Sequence, residues 1–246
     1  MLIPFLICII TKKKRNRNDL ILIQIDFCGI VTALATKYRS FVLCRFQRKF
    51  NADSNEITIG VSPFHFILPT PKHQKDVDFS GQCLRMFLEG LLSNNRNLRK
   101  LVVFSDGGKA DFHNSKFLNL LSLLQEELAI TIEFVVLAPY HGWGACDSAH
   151  SQCLRKLKHW ILEDREHIIS DSNQIETIFN TVANHSSMTV EPDEKFPEVP
   201  TYTGISQCFY FKFPKHSGTI DGYYSCIDKQ IRFEWQSETF GSRKKK

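Results

Sequence analysis

The chain is 246 residues long, 43% hydrophobic and 23% charged, with a formal net charge of +5. This balance excludes a disordered chain as the default and leaves a globular one, large enough for one good core and an appendage. The positive charge is concentrated at Lys12 to Arg17, at Arg243 to Lys246 and in the stretch holding Arg155, Lys156 and Lys158, a distribution that suits a polyanionic partner and suits solubility almost as well.

The amino end, Met1 to Ile10, is apolar and is followed by Lys12-Lys13-Lys14-Arg15. It is too short to span a bilayer, and its charge lies on the wrong side of the apolar run for a secretory signal. The expectation is therefore a protein with no membrane partner, nuclear or intracellular and not secreted, the basic cluster being of the kind that nuclear import signals share. Residues 1–18 are read as a separate apolar and basic segment.

From Leu20 to Ile25 the chain reads LILIQI, an apolar strand that delivers Asp26 before Phe27-Cys28-Gly29. Val31 to Phe46 and Ile57 to Leu68 are rich in Val, Ile, Phe and Thr, and the polar Asn51 to Asn55 lies between them, so they are predicted as antiparallel strands beside the first. Pro69-Thr70-Pro71 ends that segment. Phe79 to Leu92 carries its apolar residues on one helical face and is closed by Asn94-Asn95. Leu101 to Phe104 is a short β-branched and aromatic run closed by Ser105-Asp106-Gly107-Gly108, the pattern of a buried parallel strand with a carboxylate at its end. Ser115 to Leu128 is a crossover helix with Asn114 or Ser115 as its cap, and Ile130 to Ala138 is a second buried strand. After Pro139-Tyr140-His141-Gly142 another helix begins with Asp147 in its first turn. Right-handed crossovers return parallel strands to the same end, so Asp106 and Asp147 are expected at one edge of one sheet.

Beyond Ser170 the character changes. Asp171 to His185 is predicted as one more helix, Val190 to Pro200 as an acidic, proline-bearing linker, and Ser206 to Phe213 and Gly222 to Trp235 as aromatic strands that form a hairpin unit or extend the first sheet. The expected division is 19–170 for the main domain and 171–246 for the rest. Eight cysteines are scattered without a C-x-x-C pair and are read as reduced, mostly buried small apolar residues. Cys146, His150 and Cys153 share a helical face and make part of a tetrahedral zinc set.

The order of three strands, helix, strand, helix, strand, helix, with acids at the first strand, at the fourth strand and on the helix after the fifth, resembles the ribonuclease H-like fold. The local sequences Ile25-Asp26-Phe27, Phe104-Ser105-Asp106-Gly107-Gly108 with Phe112 following, and Tyr140-His141-Gly142-Trp143-Gly144-Ala145-Cys146-Asp147 resemble a family of eukaryotic DDE-type transposases and their derivatives. The resemblance spans residues 19–165. It implies an α/β fold with a mixed five-stranded sheet and helices on both faces. It also implies a DNA strand-cleaving and strand-transferring activity, with Asp26, Asp106 and Asp147 as catalytic and metal-binding triad, Mg2+ or Mn2+ in a two-ion site, and DNA as partner. Arg155, Lys156 and Lys158 are read as contacts to the DNA backbone or as a solvated helix face, and His141 as a support that orients a phosphate or Asp147 or as a residue that hydrogen-bonds a loop; a homodimer is admitted.

Phosphodiester chemistry gives a reason for the carboxylates. A water or a 3'-hydroxyl must be made nucleophilic and a leaving alkoxide stabilised, and two divalent ions roughly 4 Å apart do both. Magnesium and manganese take hard oxygen ligands, which aspartates supply. The plainer accounts are that Asp26 ends a strand, that Asp106-Gly107 is a turn and that Asp147 caps a helix, with Glu163 and Glu166 as rival third acids. Asp111, His113 and His150 depart from the family pattern, and no zinc-finger or helix-turn-helix signature is present. The alternative class is accordingly a non-catalytic nucleic-acid- or protein-binding remnant of a transposase.

Overall fold

A computed structural model describes residues 20–31, 37–51, 56–69, 77–105, 112–137, 144–164, 167–193, 195–199, 201–214, 219–223 and 230–234. The chain opens with three antiparallel strands, β1 (Leu20–Val31), β2 (Lys37–Asn51) and β3 (Glu56–Ile67). Then follow α1 (Val77–Asn94), β4 (Lys100–Ser105), α2 (Ser115–Glu127), β5 (Thr131–Val136), α3 (Ala145–Glu163) and α4 (Ser172–Phe179). The last described elements are β6 (Ser186–Thr189), a single 3-10 turn at Ile205–Gln207, β7 (Tyr210–Lys212), β8 (Thr219–Tyr223) and β9 (Gln230–Glu234).

The nine described strands form one mixed sheet in the order β6-β3-β2-β1-β4-β5-β7-β8-β9. β4 runs parallel to β1 and β5 parallel to β4, each returned by a helical crossover. The five strands expected from the sequence are consecutive within it, but the sheet does not stop at five. β6 adds to the free edge of β3, and β7, β8 and β9 add antiparallel beyond β5. An unpaired edge presents backbone donors and acceptors that pairing satisfies, and the aromatic strands of the carboxyl-terminal region do this while burying Phe211. They extend the first sheet; they do not form a separate unit.

Alternation along β1 divides the molecule. Ile21, Ile23 and Ile25, with Leu101 and Val103 of β4, join the main core under α1 and α2. Cys28 packs on the opposite side with Cys146 and Ala149 of α3, and Ile30 there meets Cys153 and Leu157 of α3 and Ile175 and Phe179 of α4. Helices thus cover both faces, as expected. Asn114 caps α2 by accepting from the Phe117 N–H at 2.9 Å, one of the two caps anticipated.

Two boundaries differ in ways that bear on the site. β1 does not end at Ile25 but continues to Val31, because its second half pairs with β2 after β4 has left it at Ser105. Asp26 is therefore an interior strand residue opposite Val42, not a strand-ending turn residue. The helix expected over Asp171 to His185 stops at Phe179; a turn with Asn184 at φ 63° follows and leads into β6. Among the described residues no helix is long and apolar enough to cross a membrane.

Candidate functional site

Asp26 of β1 and Asp147 of α3 converge. A carboxylate oxygen of each and the sulfur of Cys28 all lie within 4.8 Å of one another. The strand period explains the first half of this, since residues 26 and 28 project from the same face of β1, the face that α3 covers. Asp26 Oδ1 accepts the Phe27 N–H at 2.7 Å. Asp147 sits in the first turn of α3, where its Oδ2 accepts the Gly144 N–H at 3.2 Å and where the positive end of the helix dipole favours an anion.

A buried glutamine fixes the second half. Gln24 projects from the same face of β1, is only 4% exposed, and its Oε1 accepts the Ala145 N–H at 2.8 Å. A helix amino terminus leaves backbone donors without intrahelical partners, and here the strand supplies an acceptor. The Cys146 thiol is directed at the Gln24 backbone carbonyl at 3.3 Å; burial first, and then its hydrogen bond and charge coupling to Cys44, hold that thiol well above its ordinary range. One turn further, His150 Nε2 lies 3.0 Å from the Gly29 carbonyl. The start of α3 is thereby stitched along β1 from Gln24 to Gly29, and Asp147 is carried to Asp26. A Cβ on Gly144 would fall on the Gln24 carboxamide, which would have to give up its place against the helix start.

Both carboxylates are half-buried. A pair of hard oxygen donors open to solvent on one side suits a magnesium- or manganese-sized cation that keeps several waters, whereas the soft Cys28 sulfur does not.

Over residues 50–201 the chain matches the family described as Domain of unknown function (DUF8701), which is more than half of its length. The chain belongs to the DUF8701 family. No curated protein matches it. The DUF8701 span takes in α1 to α4 and Asp147, while β1 with Asp26 and Gln24 precedes it.

Of the residues expected at the site of this DUF8701 protein, Asp26 and Asp147 are brought together, and Asp106 and His141 lie outside the described residues. Arg155, Lys156 and Lys158 are all exposed on α3, the helix that carries Asp147. Glu163 is no third acid: it is exposed at the far end of α3, about 24 Å from Asp147 at about 1.5 Å rise per residue. Glu166 lies outside the described residues. The zinc set of Cys146, His150 and Cys153 is also corrected. Cys146 faces the Gln24 and Val42 carbonyls, while Cys153 meets histidines from other elements. Sequence reasoning missed Gln24, His65 and His185. For Gln24 and His65 a signal existed, since Gln24 is a polar residue two before Asp26 on the same strand period and His65 is a polar residue on the inward period of an apolar strand. His185 had none, being placed by the turn after α4.

Proposed function

We propose that this DUF8701 protein has a ribonuclease H-like core and cleaves or transfers DNA strands in a metal-dependent reaction, with Asp26, Asp106 and Asp147 as its carboxylates. The observation that carries this reading is the approach of Asp26 and Asp147, from the first strand and from the helix after the fifth, to within 4.8 Å. The order β3-β2-β1-β4-β5, with the first three strands antiparallel and the last three parallel, supports the fold. Two flanking contacts support Asp106 as the third acid. Ser105, its covalent neighbour, pairs with Ile25, and Phe112 stacks on Phe27 with ring centroids 5.5 Å apart. Ser105 and Phe112, the described residues that precede and follow Asp106 in the chain, thus meet the residues on either side of Asp26.

Magnesium or manganese held by these aspartates supplies activation of the nucleophile and charge neutralisation at the leaving oxygen. The chain's own residues bind and orient. Asp26 is fixed by its place inside a paired strand, and Asp147 by a helix start pinned to Gln24. Arg155, Lys156 and Lys158 offer charge to phosphates along the same helix, about 12 to 17 Å from Asp147. The test is nicking or joining of DNA by the purified chain in manganese, abolished by chelator. Asp26→Ala, Asp106→Ala and Asp147→Ala should each remove it nearly completely, because ligands of one site act as a unit. Salt-sensitive DNA binding with no metal-dependent cleavage would move the protein to the non-catalytic binding class.

A further inference from the structure

A second set of donor atoms converges on the same face of the sheet. His65 projects from β3 opposite Val42, itself opposite Asp26, so one row across three strands leads from the carboxylates to this histidine. Cys153 comes from the buried face of α3, two turns beyond Asp147, and His185 from the turn that joins α4 to β6. His65 is 1% exposed and Cys153 is fully buried. Cys153 Sγ lies 3.1 Å from His185 Nδ1 and 3.5 Å from His65 Nε2, and the two nitrogens are 3.3 Å apart.

Two of these three edges, 3.3 Å and 3.5 Å, fit a face of a metal tetrahedron, and the third, 3.1 Å, is about 0.4 Å short of it. With zinc-to-nitrogen bonds of about 2.0–2.1 Å and a zinc-to-sulfur bond of about 2.3 Å, tetrahedral angles give edges of about 3.3–3.4 Å between nitrogens and about 3.5–3.6 Å between sulfur and nitrogen. His150 is one turn before Cys153 on α3, its ring centroid 6.0 Å from that of His65. A carbonyl only accepts, so the bond from His150 Nε2 to Gly29 places its proton there and leaves the lone pair on Nδ1, which is buried without a partner among the described residues. Its nitrogens do not belong to the set of donor atoms within 4.8 Å of one another, so His150 borders the site and is not counted among its ligands.

We propose that His65, Cys153 and His185, whose donor atoms all lie within 4.8 Å of one another, bind one zinc ion that clamps α3 and the α4–β6 turn to the sheet. The thiolate and imidazoles make this a borderline-soft site, chemically distinct from the Asp26–Asp147 pair. Three elements far apart in sequence meet at it, so binding is coupled to folding.

The full chain, stripped with chelator and reloaded, should bind one equivalent of zinc and melt at a higher temperature. Loaded with cobalt, it should show the thiolate-to-cobalt charge-transfer band and the strong visible bands of a tetrahedral centre. Cys153→Ser should remove the charge-transfer band, and Cys28→Ser should leave it intact. His185→Ala should weaken zinc affinity tenfold or more. A folded wild-type chain that takes up no zinc, or a cobalt spectrum without the thiolate band, would overturn the proposal without recourse to a variant. The same holds if Asp147→Asn abolishes the cobalt spectrum. DNA cleavage enters none of these readouts, so this site and the carboxylate site fail separately.

Discussion

The side chain of Gln24 occupies the space a Cβ on Gly144 would need, and its carboxamide oxygen holds the next residue's N–H. Gly144→Ala must therefore displace a buried, hydrogen-bonded group, an overpacking cost of about 1–3 kcal/mol. The larger effect should be positional: once Gln24 moves, the first turn of α3 loses its anchor and Asp147 its place beside Asp26. The expected result is a lowered melting temperature together with loss of the stabilisation by manganese. In the Gln24→Ala background the alanine at 144 should cost much less than alone, a non-additivity that a double-mutant cycle reads directly. Additive effects would show that the two residues do not share this space in solution.

Asp147→Asn separates the proposed metal-binding role of this residue from its capping role. The amide oxygen still accepts the Gly144 N–H, while the repulsion between two carboxylates within 4.8 Å disappears. In chelator the variant should melt at or above the wild-type temperature, and millimolar magnesium or manganese should no longer raise it. If Asp147 served only the helix dipole, the variant would instead lose about 0.3–1 kcal/mol and keep an undiminished metal response.

The sequence reading located the central strands because each is a short, nearly continuous apolar run, and it located the helices by their apolar faces. It stopped β1 too early because Asp26 looks like a terminator. What keeps the strand going is pairing with β2, which is a tertiary fact. The four strands added at the edges were hardest to place. β6 covers only Ser186 to Thr189, and whether β7 to β9 join β5 depends on an open edge that no local pattern records. Asp147 was legible by motif, yet the reason for its position lay in Gln24, far away along the chain. His65 and His185 follow the same rule, since their meeting with Cys153 is created by the sheet and not by any spacing between them.

The exposed side of α3 permits a test confined to the surface. Arg155 and Lys158 are solvent-exposed, so Arg155→Ala or Lys158→Ala should change folding stability by no more than about 0.5 kcal/mol. Each should weaken DNA binding and reduce the slope of log affinity against log salt by about 1, the signature of one lost phosphate contact. An unaltered slope would exclude the residue from the nucleic-acid interface.

Tyr202 gives the alkaline limb of the stability curve a specific owner. It packs against the main core, its N–H donates to Ser115 Oγ at 2.7 Å, and burial pushes its phenol up to about 12 from the usual value of 10.0. The sign follows from counting protons. Between pH 10 and 12 the unfolded chain has lost this proton while the folded one retains it, so the unfolded state binds fewer protons and stability falls as pH rises. Below that window both states are protonated and Tyr202 contributes no pH dependence. The buried thiol of Cys208, and in the metal-free chain that of Cys153, are also pushed up by burial and add to the same alkaline loss, so the measurement must be a difference. Urea unfolding of wild type and Tyr202→Phe, compared stepwise from pH 9 upward, should show the wild type losing stability faster once the pH exceeds 10. Parallel curves would mean that the phenol is as free to ionise in the folded chain as in the unfolded one.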